Sequence, residues 1–373
     1  MRIILFMIAL ASAQLAFAEP DPHSIQQVDT VVANFMAKYK IPGVSIAITK
    51  NGKLVYAKGY GLADSANASP VTTQSLFRIA SVSKPVTSIA IMKLVESGRL
   101  TLDEKVFGPG ALLDTQYGTQ PYGQFIQDIT VRHLLQHTAG GWSNQRNDPM
   151  FSNPTLLAGE LISWTLDNRP LEHAPGTAYA YSNFGYCILG RIIEKITGLS
   201  YETFVKDSIL RPAGVYDMQV GGNTLADRKP NEVVYYGQNG QRPYAYNISR
   251  MDAHGGWIAS ATDLLRLLVR VDSFPGKPDL LLPSSIEAMT TISAASGNYA
   301  CGWHVNSSRN WWHNGSLPGT GSELVRTSKG YNWAILVNTR STDEGFFRDM
   351  DRLIWKAVNN PDTHWPDKDL FKK

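Results

Sequence analysis

Ile25, Val28, Val32, Phe35 and Met36 recur at helical spacing and predict a helix over residues 24–38, with Ser24 and Gln27 in a capping-box pattern. Val44, Ile46 and Ile48 then alternate with Ser45, Ala47 and Thr49, which is the pattern of a strand. Asn51-Gly52 is a favoured two-residue hairpin turn, and residues 54–60 read as the return strand. The far end of the chain mirrors this arrangement. Residues 323–327 and 332–337 are strand-like and joined around Lys329-Gly330. Phe346, Phe347, Met350, Leu353, Ile354 and Ala357 then recur at helical spacing. Between the two ends lie helices and loops. The clearest helix spans residues 183–197, with Ile188, Ile192, Ile193 and Ile196 facing inward and Gly198 as its stop signal. The pattern predicts an α+β fold with one antiparallel sheet built from both chain ends and flanked by helices. Residues 19–100 and 254–373 would form that α/β lobe, and residues 101–253 a mainly helical lobe inserted into it.

Composition narrows the setting. Arg2, the apolar residues 3–10 and Ala16-Phe17-Ala18 before Glu19-Pro20 have the layout of a signal peptide over residues 1–18. An exported protein, periplasmic or secreted, is therefore expected. No later run is apolar enough for an integral membrane segment. Hydrophobic residues at 43% and charged ones at 18% fit a globular chain. A net charge of +3 without a clustered basic stripe argues against a nucleic-acid partner. Two cysteines in so long a chain make no disulfide framework, so Cys187 and Cys301 are expected as separate buried thiols.

The chemistry begins at Ser81-Val82-Ser83-Lys84, at the start of a long helix whose apolar stripe includes Val86, Ile89, Ala90, Met92 and Val95. Ser81 and Lys84 stand one turn apart on one face. A serine hydroxyl is a weak nucleophile until a neighbour takes its proton, and a lysine at this distance can do so. Pro85 fits within the first turn, where its missing N–H costs nothing. Two further motifs follow. Tyr181-Ser182-Asn183 comes after the turn Pro175-Gly176-Thr177, and His313-Asn314-Gly315 follows Trp311-Trp312.

Ser-x-x-Lys, Tyr-x-Asn and His-x-Gly in this order resemble the penicillin-recognising serine hydrolases. The likeness is greatest to the class C β-lactamases and their DD-peptidase, D-aminopeptidase and esterase relatives. Phe77-Arg78-Ile79-Ala80 and Thr130-Val131-Arg132-His133-Leu134-Leu135 are further landmarks of the same resemblance. It implies Ser81, Lys84 and Tyr181 as catalytic residues, with either Lys84 or Tyr181 as the base. It also implies an oxyanion hole formed by the backbone N–H groups of Ser81 and Ser316. Asn183, His313, Gly315 and, by its spacing after Gly141, Gln145 would bind substrate. Position 313 usually holds lysine in class C β-lactamases. A histidine supplies charge only when protonated, so a peptidase or esterase is expected rather than an efficient β-lactamase, with carboxylate-bearing substrates favoured as pH falls toward 6.

Several residues have plainer readings. Asn183 sits where a helix cap would be. His133 and His137 stand four apart, but the glutamate of a zinc helix is missing, so neither a metal nor any other cofactor is expected. His254-Gly255-Gly256 rivals the third motif, yet it precedes a helix-like run over residues 261–271 and is expected to pack. Trp142, Trp257, Trp311 and Trp312 are candidate pocket walls. The loop over residues 221–249 is a candidate border of the cleft. Two functions fit: a hydrolase acting on D-amino-acid peptides, β-lactams or small esters, or a penicillin-binding sensor or scaffold that does not turn over.

Overall fold

The computed structural model describes residues 25–372. The signal-peptide reading of residues 1–18 and the Ser24 cap lie outside them. Ten strands are found among the described residues: β1 Gly43–Lys50, β2 Lys53–Asp64, β3 Ser69–Pro70, β4 Phe77–Arg78, β5 Gln219–Val220, β6 Trp257–Ala259, β7 His304–Val305, β8 Trp311–Leu317, β9 Thr320–Arg326 and β10 Tyr331–Val337. The principal helices are α1 Gln26–Tyr39, α2 Ser83–Glu96, α3 Val131–Leu135, α4 Pro149–Ser152, α5 Ala158–Asn168, α6 Asn183–Thr197, α7 Tyr201–Val205, α8 Ala261–Leu268, α9 Pro283–Thr290 and α10 Phe346–Val358.

The main sheet runs β3-β2-β1-β10-β9-β8-β7. Its centre joins the two chain ends, with β1 antiparallel to β10 and Ile46 opposite Ile335. The α+β class and the sheet built from both ends are as the alternation of residues predicts. Asn51 and Gly52 both take left-handed backbone at the β1–β2 turn, the conformation that Asn-Gly hairpins favour.

Each face of the sheet has its own packing. On one, α1 and α10 lie side by side. Val28, Phe35, Val44, Ile46, Trp333, Met350 and Ile354 form a single buried cluster there. Full burial of each such side chain contributes about 1.5–3 kcal/mol. On the other, Ala47, Leu324 and Leu336 join a larger cluster that continues through α2, α6 and α8. No helix among the described residues is long and apolar enough to cross a membrane. Cys187 and Cys301 are free and buried.

One element differs from its sequence pattern. α2 is enclosed rather than half-exposed, and only Lys93, Val95 and Glu96 escape burial. It is surrounded by α6, α7 and α9. Its polar residues find partners inside: Thr87 Oγ1 donates to Ala253 O at 2.6 Å and Ser88 Oγ to Cys301 O at 2.7 Å. Buried hydroxyls paired in this way cost little, which is why a polar stripe can lie in a core.

Candidate active site

Ser81 is held from two sides. β4 pairs with β6, and Ile79 N–H donates to Trp257 O at 3.0 Å just beyond that pairing. The Ile79 carbonyl accepts from Ser322 Oγ on β9 at 2.6 Å. The chain then turns sharply, with Ala80 at φ 46°, a left-handed conformation uncommon for a residue with a side chain. Ala80–Val82 form a 3-10 turn that runs directly into α2. Ser81 is thereby presented at the N-terminal end of α2, on the wall of a cavity of about 530 Å³.

Lys84 is fully buried beneath it. Its Nζ lies 3.0 Å from Ser81 Oγ, 2.8 Å from Asn183 Oδ1 and 3.1 Å from the His254 carbonyl. Burial lowers its pKa from 10.5 to about 7, against the opposing pull of Asp148. A neutral amine has two N–H donors and one lone pair. Asn183 and His254 are acceptors at those positions, which leaves the lone pair for the Ser81 hydroxyl.

Tyr181 borders the same cavity. Its ring lies with its centroid 4.8 Å from Lys84 Nζ. The sequence reading leaves open which of the pair loses its proton, since a nearby cation favours tyrosinate. Here burial outweighs that effect. Burial raises the Tyr181 pKa well above 10, and the hydrogen bond with Ser81, which pulls the other way, does not offset it. The directions agree: lysine gives up its proton readily and tyrosine keeps its own. Tyr181 also packs on His137, with ring centroids 4.2 Å apart.

Asn183 is not the cap of α6. Ser182 is, accepting from Gly185 N–H, and this leaves the Asn183 side chain free for the site. Its carbonyl faces Lys84, and its Nδ2 donates to Asp148 Oδ2 at 2.7 Å. Asp148 in turn caps α4 through Met150 N–H at 2.9 Å. Burial raises the Asp148 pKa, opposed by the Met150 N–H, Asn183 and Lys84.

The third motif lies on β8. Gly315 is required by contact: a Cβ there would sit 2.1 Å from Ser322 Oγ and 2.2 Å from Ile79 O. Only a glycine lets β8 approach the Ser81 turn so closely. Ser316 follows on the wall of the cavity that Ser81 also lines. His313 differs from expectation. It is buried, does not border the cavity, and its two ring nitrogens lie 3.0 Å from Tyr299 OH and 2.7 Å from Asn314 O. Burial, followed by the charges of His304 and Lys84, pushes its pKa well below 6.5. Burial thus disfavours the charged ring, and its place off the cavity gives no support to the expected gain for carboxylate substrates on acidification.

Other candidates fall elsewhere. Gln145 is exposed and off the cavity, whereas its neighbour Asn144 lines it and accepts from Asn183 N–H at 2.8 Å through Oδ1. The segment between Gly141 and Gln145 is turn-rich, with Trp142 and, just beyond, Asn147 in left-handed backbone, and it turns Asn144 rather than Gln145 toward the cavity. Trp142, Trp257, Trp311 and Trp312 do not line the cavity. Trp142 Nε1 donates to Arg169 O, and Trp257 Nε1 to Tyr201 OH. Trp311 is stacked under Arg326, and Trp312 lies on His304. His133 accepts from Thr130 N–H as part of the α3 capping box, and His137 Nδ1 accepts from Ser182 N–H. His254 is packed as expected, yet it also lines the cavity and lends Lys84 its carbonyl. Sequence reasoning did not single out Asn144, Asp148 or Arg340, all on the cavity wall. Asp148-Pro149 carries a helix-start signal, but nothing local connects it to Asn183, 35 residues away.

The Beta-lactamase family model matches residues 28–359. The chain is 29% identical over 348 residues to Protein flp of Staphylococcus aureus (strain MRSA252), covering 90% of this chain and 67% of that one. It is similar to the octameric penicillin-binding protein homologue from Pyrococcus abyssi, with a TM-score of 0.74, 27% identity and coverage of 91% of this chain and 79% of that one. The D-amino acid amidase from Ochrobactrum anthropi SV3 has the same fold, with a TM-score of 0.73, 24% identity and coverage of 89% and 98%.

Proposed function

The chain belongs to the Beta-lactamase family, and from that premise we propose that it is an exported serine acyl hydrolase forming an acyl-enzyme on Ser81. The observation that carries this reading is the 3.0 Å approach of Lys84 Nζ to Ser81 Oγ, with the amine's remaining contacts directed to two carbonyl oxygens. Lys84 is the base in this scheme. It takes the Ser81 proton as Oγ attacks the acyl carbon. The N–H groups of Ser81 and Ser316 stabilise the oxyanion. Tyr181, which keeps its proton, hands it to the leaving group and is reprotonated from Lys84. Water then enters and the acyl-enzyme is hydrolysed.

The substrate class joins D-amino-acid peptides and amides, β-lactams and small esters, consistent with relatives named as a penicillin-binding protein homologue and a D-amino acid amidase. Peptidase or esterase activity is favoured over efficient β-lactam hydrolysis: position 313, usually lysine in class C β-lactamases, holds a buried ring bonded to Tyr299 and Asn314 and set back from the cavity. Export rests on the leader pattern of residues 1–18.

Mass spectrometry after incubation with a fluorophosphonate or a penicillin tests the reading. The adduct is expected on the peptide containing Ser81 and absent from Ser81→Ala. An adduct on Ser83, or none with any acylating probe, overturns it. A stable adduct without turnover of p-nitrophenyl esters or D-alanyl-D-alanine peptides would identify a sensor instead.

A further inference from the structure

Arg340 follows the end of β10 and reaches the wall of the Ser81 cavity. Its backbone is held in place. Thr339 Oγ1 donates to Tyr236 O at 2.6 Å, and Tyr236 N–H donates to Asn338 O at 2.9 Å. One guanidinium nitrogen, Nη1, donates to Ser316 Oγ at 2.8 Å. Among the described residues, no carboxylate lies within ion-pairing distance of Arg340. The carboxylate that shares its cavity, Asp148, is already engaged by Asn183 and Met150 N–H.

A guanidinium carries five N–H donors and stays charged at any working pH. After Ser316 is served, a planar edge of donors remains. Lys84 is turned beneath Ser81, and His313 is neutral and off the cavity. The cavity wall therefore holds one permanent, unpaired cation, adjacent to the residue whose N–H is proposed for the oxyanion hole. We infer that Arg340 anchors a substrate carboxylate close to the scissile bond, as at the free C-terminus of a peptide. This inference rests on the hydrolase reading above and names the selectivity of that same site.

The test compares a D-alanyl-D-alanine peptide with its C-terminal carboxamide, in wild type, Arg340→Gln and Arg340→Lys. Each peptide is measured as a substrate or, if not cleaved, as a competitive inhibitor of p-nitrophenyl ester hydrolysis. A charge-assisted pair predicts that wild type prefers the free acid by about 10-fold to 100-fold. Arg340→Gln should bring that ratio toward one, and Arg340→Lys should retain part of it. A wild-type ratio near one overturns the inference without any variant. So does Arg340→Gln lowering both peptides equally, the mark of a merely structural role. These outcomes leave the hydrolase reading intact provided ester turnover still requires Ser81. Loss of all Ser81-dependent chemistry in wild type would overturn both.

Discussion

Asn183 donates an amide N–H to Asp148 at 2.7 Å, and that bond decides which way its carbonyl points. An amide side chain can be turned either way, and only its partners fix the choice. With Nδ2 committed to Asp148, Oδ1 must face Lys84, where it sits 2.8 Å from Nζ. A carboxylate that never touches Ser81 thus orients the lysine that does.

Asp148→Ala should therefore act through Lys84. Lost orientation of Asn183 is expected to lower kcat/KM by about tenfold, within the range of a misplaced catalytic group. Removing the negative charge also removes the one influence that raises the Lys84 pKa. The rising limb of the pH profile should shift to lower pH. A drop in activity with an unmoved limb would show that Asp148 merely caps α4.

The Lys84 base makes a signed prediction for wild type. Its pKa is lowered to about 7 by burial, so the neutral form accumulates above that pH. Acylation should rise through pH 7 and level off above it. Lys84→Ala should lose about 10²-fold or more in kcat/KM together with that limb. Tyr181→Phe should lose a comparable factor and keep the limb, because Tyr181 remains protonated across the range. Pre-steady-state acylation across pH 5–9 is the measurement.

Gly315→Ala is expected to be costly in both stability and activity. The new methyl would meet the Ile79 carbonyl at 2.2 Å and Ser322 Oγ at 2.1 Å, and the first of these is backbone. Overpacking of this kind costs about 1–3 kcal/mol. It also moves β8 away from the Ser81 turn, which separates the two proposed oxyanion donors. Adding Ser322→Ala should recover little, since the carbonyl clash remains. Thermal unfolding and the rate of fluorophosphonate labelling would both report it.

The strands and terminal helices were legible because their signals are local. Alternating residues 44–48, an Asn-Gly turn and helical spacing over 346–357 each fix a piece of structure that needs only its neighbours in sequence. The Ser81–Lys84 approach was legible for the same reason, one helical turn being short-range geometry. What sequence could not supply is tertiary. Asn144 and Gln145 are equivalent on paper, and only the docking of the 142–148 turns onto Tyr181 and Asn183 selects Asn144. His313 carries the right type at the right spacing. Its burial depends on Tyr299 and His304 arriving from a different segment. Arg340 lies beyond a strand end in a stretch with no motif at all.

Glu323 provides the clearest pH-dependent test of the fold beneath the third motif. It is fully buried on β9, accepting from Asn314 Nδ2 at 3.1 Å and from Trp333 Nε1 at 3.2 Å. Burial raises its pKa from 4.5 to about 8; Asp351 adds to the rise, and Trp333 and Asn314 oppose it. The unfolded chain releases this proton near pH 4.5, while the folded chain holds it to about pH 8. Between those values the native state binds more protons than the unfolded one. Stability from this group is therefore complete below pH 4.5 and is lost as pH rises through about 8, at no more than ~1.4 kcal/mol per pH unit. Glu323→Gln cannot ionise, so that slope should vanish. Its amide nitrogen cannot accept, so one of the two hydrogen bonds is lost at a constant cost of about 1 kcal/mol. Urea unfolding at pH 5, 6.5 and 8 separates the two effects. The variant should be less stable than wild type at pH 5 and gain on it steadily toward pH 8. A difference that does not change with pH would mean that Glu323 is ionised in the folded protein throughout.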